Sequence, residues 1–329
     1  MLYKSYVLAA GVMKPMLEIV HFIRTRALNH RQFRSLLEEM EEPGIGQSSD
    51  VTLHCSVRWL SRGKVVRRFL ELLDPIKVFL SQKEKVFAEL ESTEWLLRAS
   101  FLSDILDHLN RLNLSLQGRS QTVLDLSQGV FSFMAKLQLF QRQLGAGDCS
   151  HFVKLRETIA RKHADGEFEK LKQTFADKLG NLCSHFQDRF TDLQEKKEAT
   201  GFLADPFLPV GESLQQLCQD PAAAELEMLE FQEDARLRAV HRSSGVVDFW
   251  KVVPEQQYPN MKGAALRLLS MFGTTYICES LFSTMNQVKF RYRSSLSDVH
   301  LSENLRLATT GQMPRIQRLV AKKDCQKSH

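Results

Sequence analysis

The stretch FEKLKQTFADKLGNLCSHFQDRFTDL, residues 168–193, decides the fold class of this chain. Its large apolar residues recur at intervals of three or four, which places them on one face of a helix. They are Phe168, Leu171, Phe175, Leu179, Leu182, Phe186, Phe190 and Leu193. A coiled-coil seam would show the same spacing, but large phenylalanines at these positions favour a helix packed into a globular bundle.

The same spacing continues outward in both directions and predicts a mainly α chain. It is found over residues 15–40, 65–79, 102–116 and 123–144. Pro15 suits the first turn of a helix, and Pro75 should kink or break the second of these stretches. Gly145-Ala146-Gly147 should mark the end of the last stretch. Residues 51–57 alternate and are β-prone, so they are the best strand candidate. One strand alone is unstable and must pair with another.

Composition and charge are those of an ordinary globular protein. The 329 residues are 43% hydrophobic and 25% charged, which excludes a largely disordered chain. The formal net charge of +5 permits contact with nucleic acid without demonstrating it.

The pattern of cysteines and the length of the apolar runs indicate whether the chain binds a metal ion and where in the cell it is found. The six cysteines form no CxxC pair, so neither a structural metal nor a cofactor is expected, and a reducing compartment fits best. No apolar run approaches the roughly 20 residues that span a bilayer, so no membrane contact is expected. The nucleus is the predicted location, with the cytoplasm as the alternative.

Two separated blocks carry a resemblance to a known family. The first is HCSVRWLSRGKV at 54–65, and the second is FGTTYICESLFSTMN at 272–286, followed by KFRYRSSLSDVHL at 289–301. Together they resemble the hAT transposases and the host proteins derived from them. Those host proteins include the zinc finger BED-type, FAM200-type and general transcription factor II-I repeat domain-containing protein 2 groups. Residues 95–118 resemble the helical insertion of the same family.

The resemblance implies a fold and a chemistry. Such transposases have an RNase H-like core, interrupted by a helical insertion, in which two aspartates and a late glutamate hold two metal ions. Glu279 matches the late glutamate, whereas both aspartate blocks would precede the first residue of this sequence. The resemblance therefore implies a non-catalytic, domesticated or truncated protein in which Glu279 is a relic and no metal is bound.

Two other interpretations stay open. The chain could belong to a metal-dependent transposase or nuclease whose aspartates come from a missing region or from a partner. It could also be a folded remnant without a selected function. A cleavage assay with added metal separates the first of these from a non-catalytic protein.

Basic and aromatic residues near the two blocks are candidates for DNA contact. They are Arg58, Trp59, Lys64, Lys289, Arg291 and Arg293, with Arg67, Arg68, Arg306 and the tail residues Arg315, Arg318, Lys322 and Lys323 nearby. Cations would contact phosphates, and the indole could stack on an unpaired base. The alternatives are a solvated helix face for the cations and, for Trp59, a side chain that closes the junction between a strand and a helix.

The family resemblance implies self-association through the C-terminal region, with a second copy or a related transposase-derived protein as partner. The candidate dimerisation residues are Leu268, Leu269, Phe272, Leu281, Phe282 and Leu305. They suit an intramolecular core equally well. An exposed apolar patch is expected near Val51–Trp59 and Phe272–Met285.

The domain organisation follows from the same blocks. Residues 1–60 are predicted to be the remnant of the RNase H-like core, with one or few strands, and residues 61–245 the helical insertion domain. Residues 246–310 form the predicted C-terminal dimerisation region, and residues 311–329 a basic tail.

Overall fold

The computed structural model describes residues 10–40, 59–117, 121–208, 218, 220–271, 276–289 and 296–309. Within these ranges the regular elements are helices and no strand is found, which confirms the mainly α prediction. The strand predicted over residues 51–57 lies outside the described residues. The RNase H-like remnant therefore stays a prediction.

The α-helices of the described ranges follow one another along the chain. They are α1 Ala10–Arg24, α2 Ala27–Glu39, α3 Trp59–Glu71, α4 Leu73–Gln82, α5 Thr93–Ser115, α6 Val123–Gly145, α7 Val153–Lys162, α8 Asp165–Arg189, α9 Thr191–Glu195, α10 Lys197–Ala204, α11 Pro221–Glu233, α12 Ala235–Ser243, α13 Val246–Val252, α14 Pro259–Leu269, α15 Tyr276–Val288 and α16 Asp298–Thr309. A 3₁₀ turn at Ala88–Glu91 precedes α5.

Local signals set several of these boundaries. Ser92 caps α5 by accepting a hydrogen bond from the Trp95 amide, and Thr122 forms a capping box with Asp125 at the start of α6. Just beyond the end of α6, Gly147 adopts a φ of 89°, a conformation that favours glycine. The helix end predicted at residues 145–147 is therefore confirmed.

The first core is formed by α1 to α4 and the first half of α5. Met16, Ile19, Phe33, Phe69 and Phe79 are fully buried there. Residues on both sides of position 60 share this core. The domain boundary at that position stays a prediction, and α1 packs directly on α3 and α5.

Pro15 lies inside α1 rather than in its first turn. A proline lacks the N–H that would otherwise bond to the carbonyl four residues earlier, which here is that of Gly11. The Trp95 indole N–H donates to the Gly11 carbonyl at 3.2 Å and so satisfies it from another helix. This contact ties α1 to α5.

The single helix predicted over residues 15–40 is instead two helices, so that prediction was wrong. The chain leaves the helical conformation at Arg26, whose φ and ψ are −99° and 109°. The buried Asn29 side chain then donates to the Phe22 carbonyl at 3.0 Å and holds the corner. The break predicted near Pro75 is confirmed, since α3 ends at Glu71 and α4 begins at Leu73.

The second core lies between α5, α6, α7 and α8. It contains most of the stripe predicted within residues 168–193, with Phe175 stacked on Phe101 at a centroid distance of 4.4 Å. Asp104, which is 6% exposed, accepts hydrogen bonds from the amides of Lys154 and Leu155 at 3.1 and 3.0 Å. A side chain of α5 thus caps the first turn of α7.

The third core joins the start of α6 to α10–α14. Phe231, Phe249, Trp250 and Tyr258 form its aromatic centre, with Phe231 and Trp250 stacked at 5.7 Å. Residues on both sides of the boundary predicted at 245 contribute to this core. It carries the start of the C-terminal region that the sequence assigned to dimerisation.

Candidate dimerisation surface

The base of the C-terminal region is fixed by Trp250 on α13. Its indole N–H donates to the Leu203 carbonyl at 3.1 Å, and the His241 Nε2 lies 2.9 Å from the Ala204 carbonyl. Both carbonyls belong to the last turn of α10, where no intrahelical donor follows. Two side chains therefore close the end of α10 and hold α12 and α13 against it.

Glu227 on α11 fixes the start of α14. Its Oε1 accepts a hydrogen bond from the Met261 amide at 2.6 Å, and its Oε2 accepts from the Asn260 amide and side chain at 3.0 Å. These amides lie in the first turn of α14, where donors lack intrahelical acceptors and a negative charge is favoured by the helix dipole. The buried carboxylate thereby orients α14 on the third core.

Helix α14 carries two of the predicted dimerisation residues. Leu268 is fully buried in the third core, and Leu269 is half-buried against it. For Leu268 the structure therefore supports the intramolecular alternative. Leu266, on another side of the helix, is 46% exposed.

Helices α15 and α16 pack against each other. On α16, Leu301 and Leu305 are half-buried, whereas Val299 and Leu307 are 67% and 66% exposed. Because residues four apart share a side of a helix, the two pairs lie on opposite sides of α16. The side of Val299 and Leu307 presents apolar surface to solvent.

Helix α15 shows the same division. Leu281 and Met285 are half-buried, and Phe282 is 61% exposed. The C-terminal part of the predicted apolar patch therefore includes one large solvent-facing ring. Phe272 and residues 51–58 of that patch lie outside the described residues. We call Phe282, Val299 and Leu307 the hairpin surface.

Carboxylates neutralise part of the predicted DNA-contact set. Arg67 forms an ion pair with Asp107, and Arg68 lies 3.2 Å from Glu71. Lys289 is exposed and lies 3.8 Å from Asp298. These contacts reduce the positive potential that a phosphate would meet.

The other members of the set have different positions. Lys64 on α3 and Arg306 near the end of α16 are exposed. Trp59 is the first residue of α3. The remaining candidates, Arg58, Arg291, Arg293 and the tail cations, lie outside the described residues. Their role in DNA contact stays a prediction.

Glu279 lies on the first half of α15. Within the described ranges, no three His, Cys, Asp or Glu side chains come together in an arrangement that could hold a metal ion. None of the described helices has the length and apolar character needed to cross a bilayer.

Sequence reasoning misses two residues that shape this region. One is Glu227, because the partners of its carboxylate lie 33 and 34 positions away. Val299 is not among the predicted residues, although its spacing of eight from Leu307 places it on the same side of α16. That spacing was the available signal for Val299, whereas Glu227 had none.

Comparison with known proteins gives matches to two family models. Residues 1–145 match the FAM200/GTF2IRD2 helical domain, and residues 225–306 match the hAT family C-terminal dimerisation region. The second match covers α12 to α15 and most of α11 and α16. This chain therefore belongs to the hAT transposase-derived proteins of the FAM200/GTF2IRD2-like type.

The curated relatives agree with these matches. The chain is 33% identical over 298 residues to General transcription factor II-I repeat domain-containing protein 2 of Bos taurus, which is 91% of this chain and 30% of the relative. The protein of the same name from Mus musculus is 33% identical over 278 residues, which is 84% of this chain and 28% of the relative. The chain thus spans about three tenths of the length of these relatives.

Proposed function

We propose that this chain is a non-catalytic, transposase-derived scaffold that dimerises through the hairpin surface. The observation that carries the proposal is the exposure of Phe282, Val299 and Leu307 on two adjoining helices, two of the three within the region that matches the hAT dimerisation model. Large apolar side chains exposed on a surface favour association, because burying them releases water. A second copy is the proposed partner, and a related transposase-derived protein could occupy the same surface.

Substitution of the hairpin surface tests dimerisation. Burying a phenylalanine contributes about 2 kcal/mol, and a symmetric dimer buries it twice, so Phe282→Ser should cost about 4 kcal/mol. That corresponds to a roughly thousandfold rise in the dimer Kd. Sedimentation equilibrium over a range of concentrations measures the change.

The matched control for this experiment is Val86→Ser. Val86 is 91% exposed and lies far along the chain from the matched region. Its substitution should leave the dimer Kd unchanged. A monomeric wild type, or equal effects of both substitutions, would contradict the proposal. Unchanged helical circular dichroism separates loss of association from loss of folding.

We also propose that the scaffold acts in the nucleus through contact with protein or DNA. The name of the relatives refers to a general transcription factor repeat domain, and the chain carries a net charge of +5. Lys64 is an exposed cation that suits phosphate contact, and Lys289 is also exposed, although a phosphate there would compete with Asp298 at 3.8 Å.

Binding to duplex DNA at several salt concentrations tests that contact. Replacing both lysines with alanine should weaken binding and reduce the salt dependence, since each lost phosphate contact lowers the slope by about one. The control is Lys170→Ala, an exposed lysine on α8 that is not proposed for DNA contact. Equal affinities for both variants would remove these lysines from the interface. A chain that ignores DNA at low salt would leave protein contact as the function.

The non-catalytic part of the proposal has its own test. Duplex DNA is incubated with the chain and Mg²⁺ or Mn²⁺, and nicks are counted against a Glu279→Gln variant. We expect no cleavage above background by either protein. Metal-dependent cleavage that is lost in the variant would support the transposase or nuclease alternative.

A further inference from the structure

Helix α11 is apolar on two opposite faces. One face packs into the third core through Ala224 and Phe231. The opposite face carries Ala222, Leu226 and Leu229, which we call the outer stripe, and its two leucines are 67% and 63% exposed. A helix that is apolar on both faces is typical of one covered on both faces. Within the described ranges, the outer leucines remain exposed to solvent.

Acidic side chains border the outer stripe. Glu225 and Glu230 lie on its two sides, and Glu233 lies at its C-terminal end, all three exposed. The helical spacing of these residues surrounds the two leucines with negative charge. The α11 helix of a second copy is therefore a poor binding partner for the outer stripe, because pairing the two stripes would bring carboxylates together. The occupant that fits is an apolar helix face bordered by positive charge.

We propose that the outer stripe binds residues 313–323 of this chain, MPRIQRLVAKK, in a helical conformation. The apolar residues of this segment are Met313, Ile316, Leu319 and Val320, and the basic ones are Arg315, Arg318, Lys322 and Lys323, with no acid among them. Apolar positions three and four apart share one side of a helix, and most of the basic positions fall on another. Apolar contacts to Leu226 and Leu229 and ion pairs to Glu230 and Glu233 hold the segment.

Position along the chain also favours this segment. It begins four residues after Thr309, the last residue of α16. Helix α16 itself is a weaker match, since Asp298 and Glu303 would oppose the acidic border. The outer stripe on α11 and the hairpin surface on α15 and α16 have no residue in common. The proposed contact therefore does not rest on dimerisation through the hairpin surface.

Photo-crosslinking in the full chain tests the proposal. Benzoylphenylalanine replaces Leu229, whose exposure leaves room for the larger side chain, and mass spectrometry identifies the crosslinked peptide. The control places the same group at Val86, which is 91% exposed. Position 229 should crosslink to residues 313–323, and position 86 should not. Crosslinks from position 229 to α11 or α16 of a second copy, or none to the segment, would overturn the proposal.

Charge reversal gives a second readout. Glu230→Lys with Glu233→Lys should lower the crosslink yield severalfold, and adding Arg318→Glu with Lys322→Glu should restore it. A yield that these changes leave constant would overturn the ion-pair basis. The mass of the product assigns the arrangement: a monomer mass means binding within one chain, and a dimer mass means exchange between two chains. Both masses support the segment as occupant.

Discussion

Replacing Asp104 with asparagine should change how the stability of the protein depends on pH. Burial raises the pKa of Asp104 from 3.8 to about 6, while the hydrogen bonds from the Leu155 and Lys154 amides act in the opposite direction. The ionised form is thus disfavoured in the folded state relative to the unfolded chain. The stabilisation associated with the protonated form is complete below pH 3.8 and is lost as the pH rises through about 6.

The size of the effect follows from the difference in pKa. A difference of about two pKa units corresponds to about 3 kcal/mol, since each unit is worth about 1.36 kcal/mol. Asparagine cannot ionise, so Asp104→Asn removes this dependence. It also loses one of the two amide contacts, which costs about 1–3 kcal/mol at every pH. The free energy of unfolding of the variant, minus that of the wild type, should therefore rise by about 2.5 kcal/mol between pH 4 and pH 7.5, which is most of the full effect.

Urea denaturation followed by circular dichroism measures this difference at each pH. Taking the difference between variant and wild type cancels the other titrating groups that both proteins share, including His108, whose pKa is lowered by burial. Asp165→Asn, on the exposed first turn of α8, controls for removing a negative charge. A difference that is flat with pH, or that falls as pH rises, would refute the reasoning.

Two further predictions concern single positions in the fold. Glu227→Ala should lower the free energy of unfolding by about 3–5 kcal/mol, because the amides of Asn260 and Met261 lose their acceptor. Urea denaturation measures this loss, and a loss below about 1 kcal/mol would contradict the capping role of Glu227. His163 adopts a φ of 47°, a backbone conformation that favours glycine. His163→Gly should therefore raise the melting temperature, because it relieves about 0.5–1 kcal/mol of strain. The control His185→Gly lies within α8 and should lower the melting temperature, because glycine destabilises a helix interior.

Most of the helices could be predicted from the sequence, because the residue patterns that indicate a helix are local. The stripe within residues 168–193 predicted α8, although the helix ends at Arg189 and α9 continues from Thr191. Pro75 and Gly147 marked a break and an end, since proline restricts the backbone and glycine frees it. The corner at Arg26 escaped prediction because the Asn29 amide contact that holds it has no pattern in sequence.

The sequence predicted which region of the chain holds the candidate site, but not which side chains of that region are exposed. The resemblance of residues 272–301 pointed to the C-terminal helices, and the match over 225–306 agrees with it. It could not say which leucines face solvent, because Leu268 lies on a helix that packs against α10 and α11, elements distant in sequence. Contacts such as that of Trp250 with Leu203, 47 positions apart, determine which side chains are exposed. They produce no pattern in the local sequence.

The three cores follow one another along the chain, and this order has a consequence for synthesis. Among the described residues, the fully buried members of the first core end at Leu102 and those of the second at Phe186. Contacts of short sequence separation form quickly, and domains emerging from the ribosome fold from the N-terminus onward. We expect the first core to fold while α8 is still being translated. The third core cannot form until α14 has been translated. A ribosome stalled before Pro259 should therefore carry a nascent chain whose C-terminal aromatic residues are exposed and accessible to chaperones.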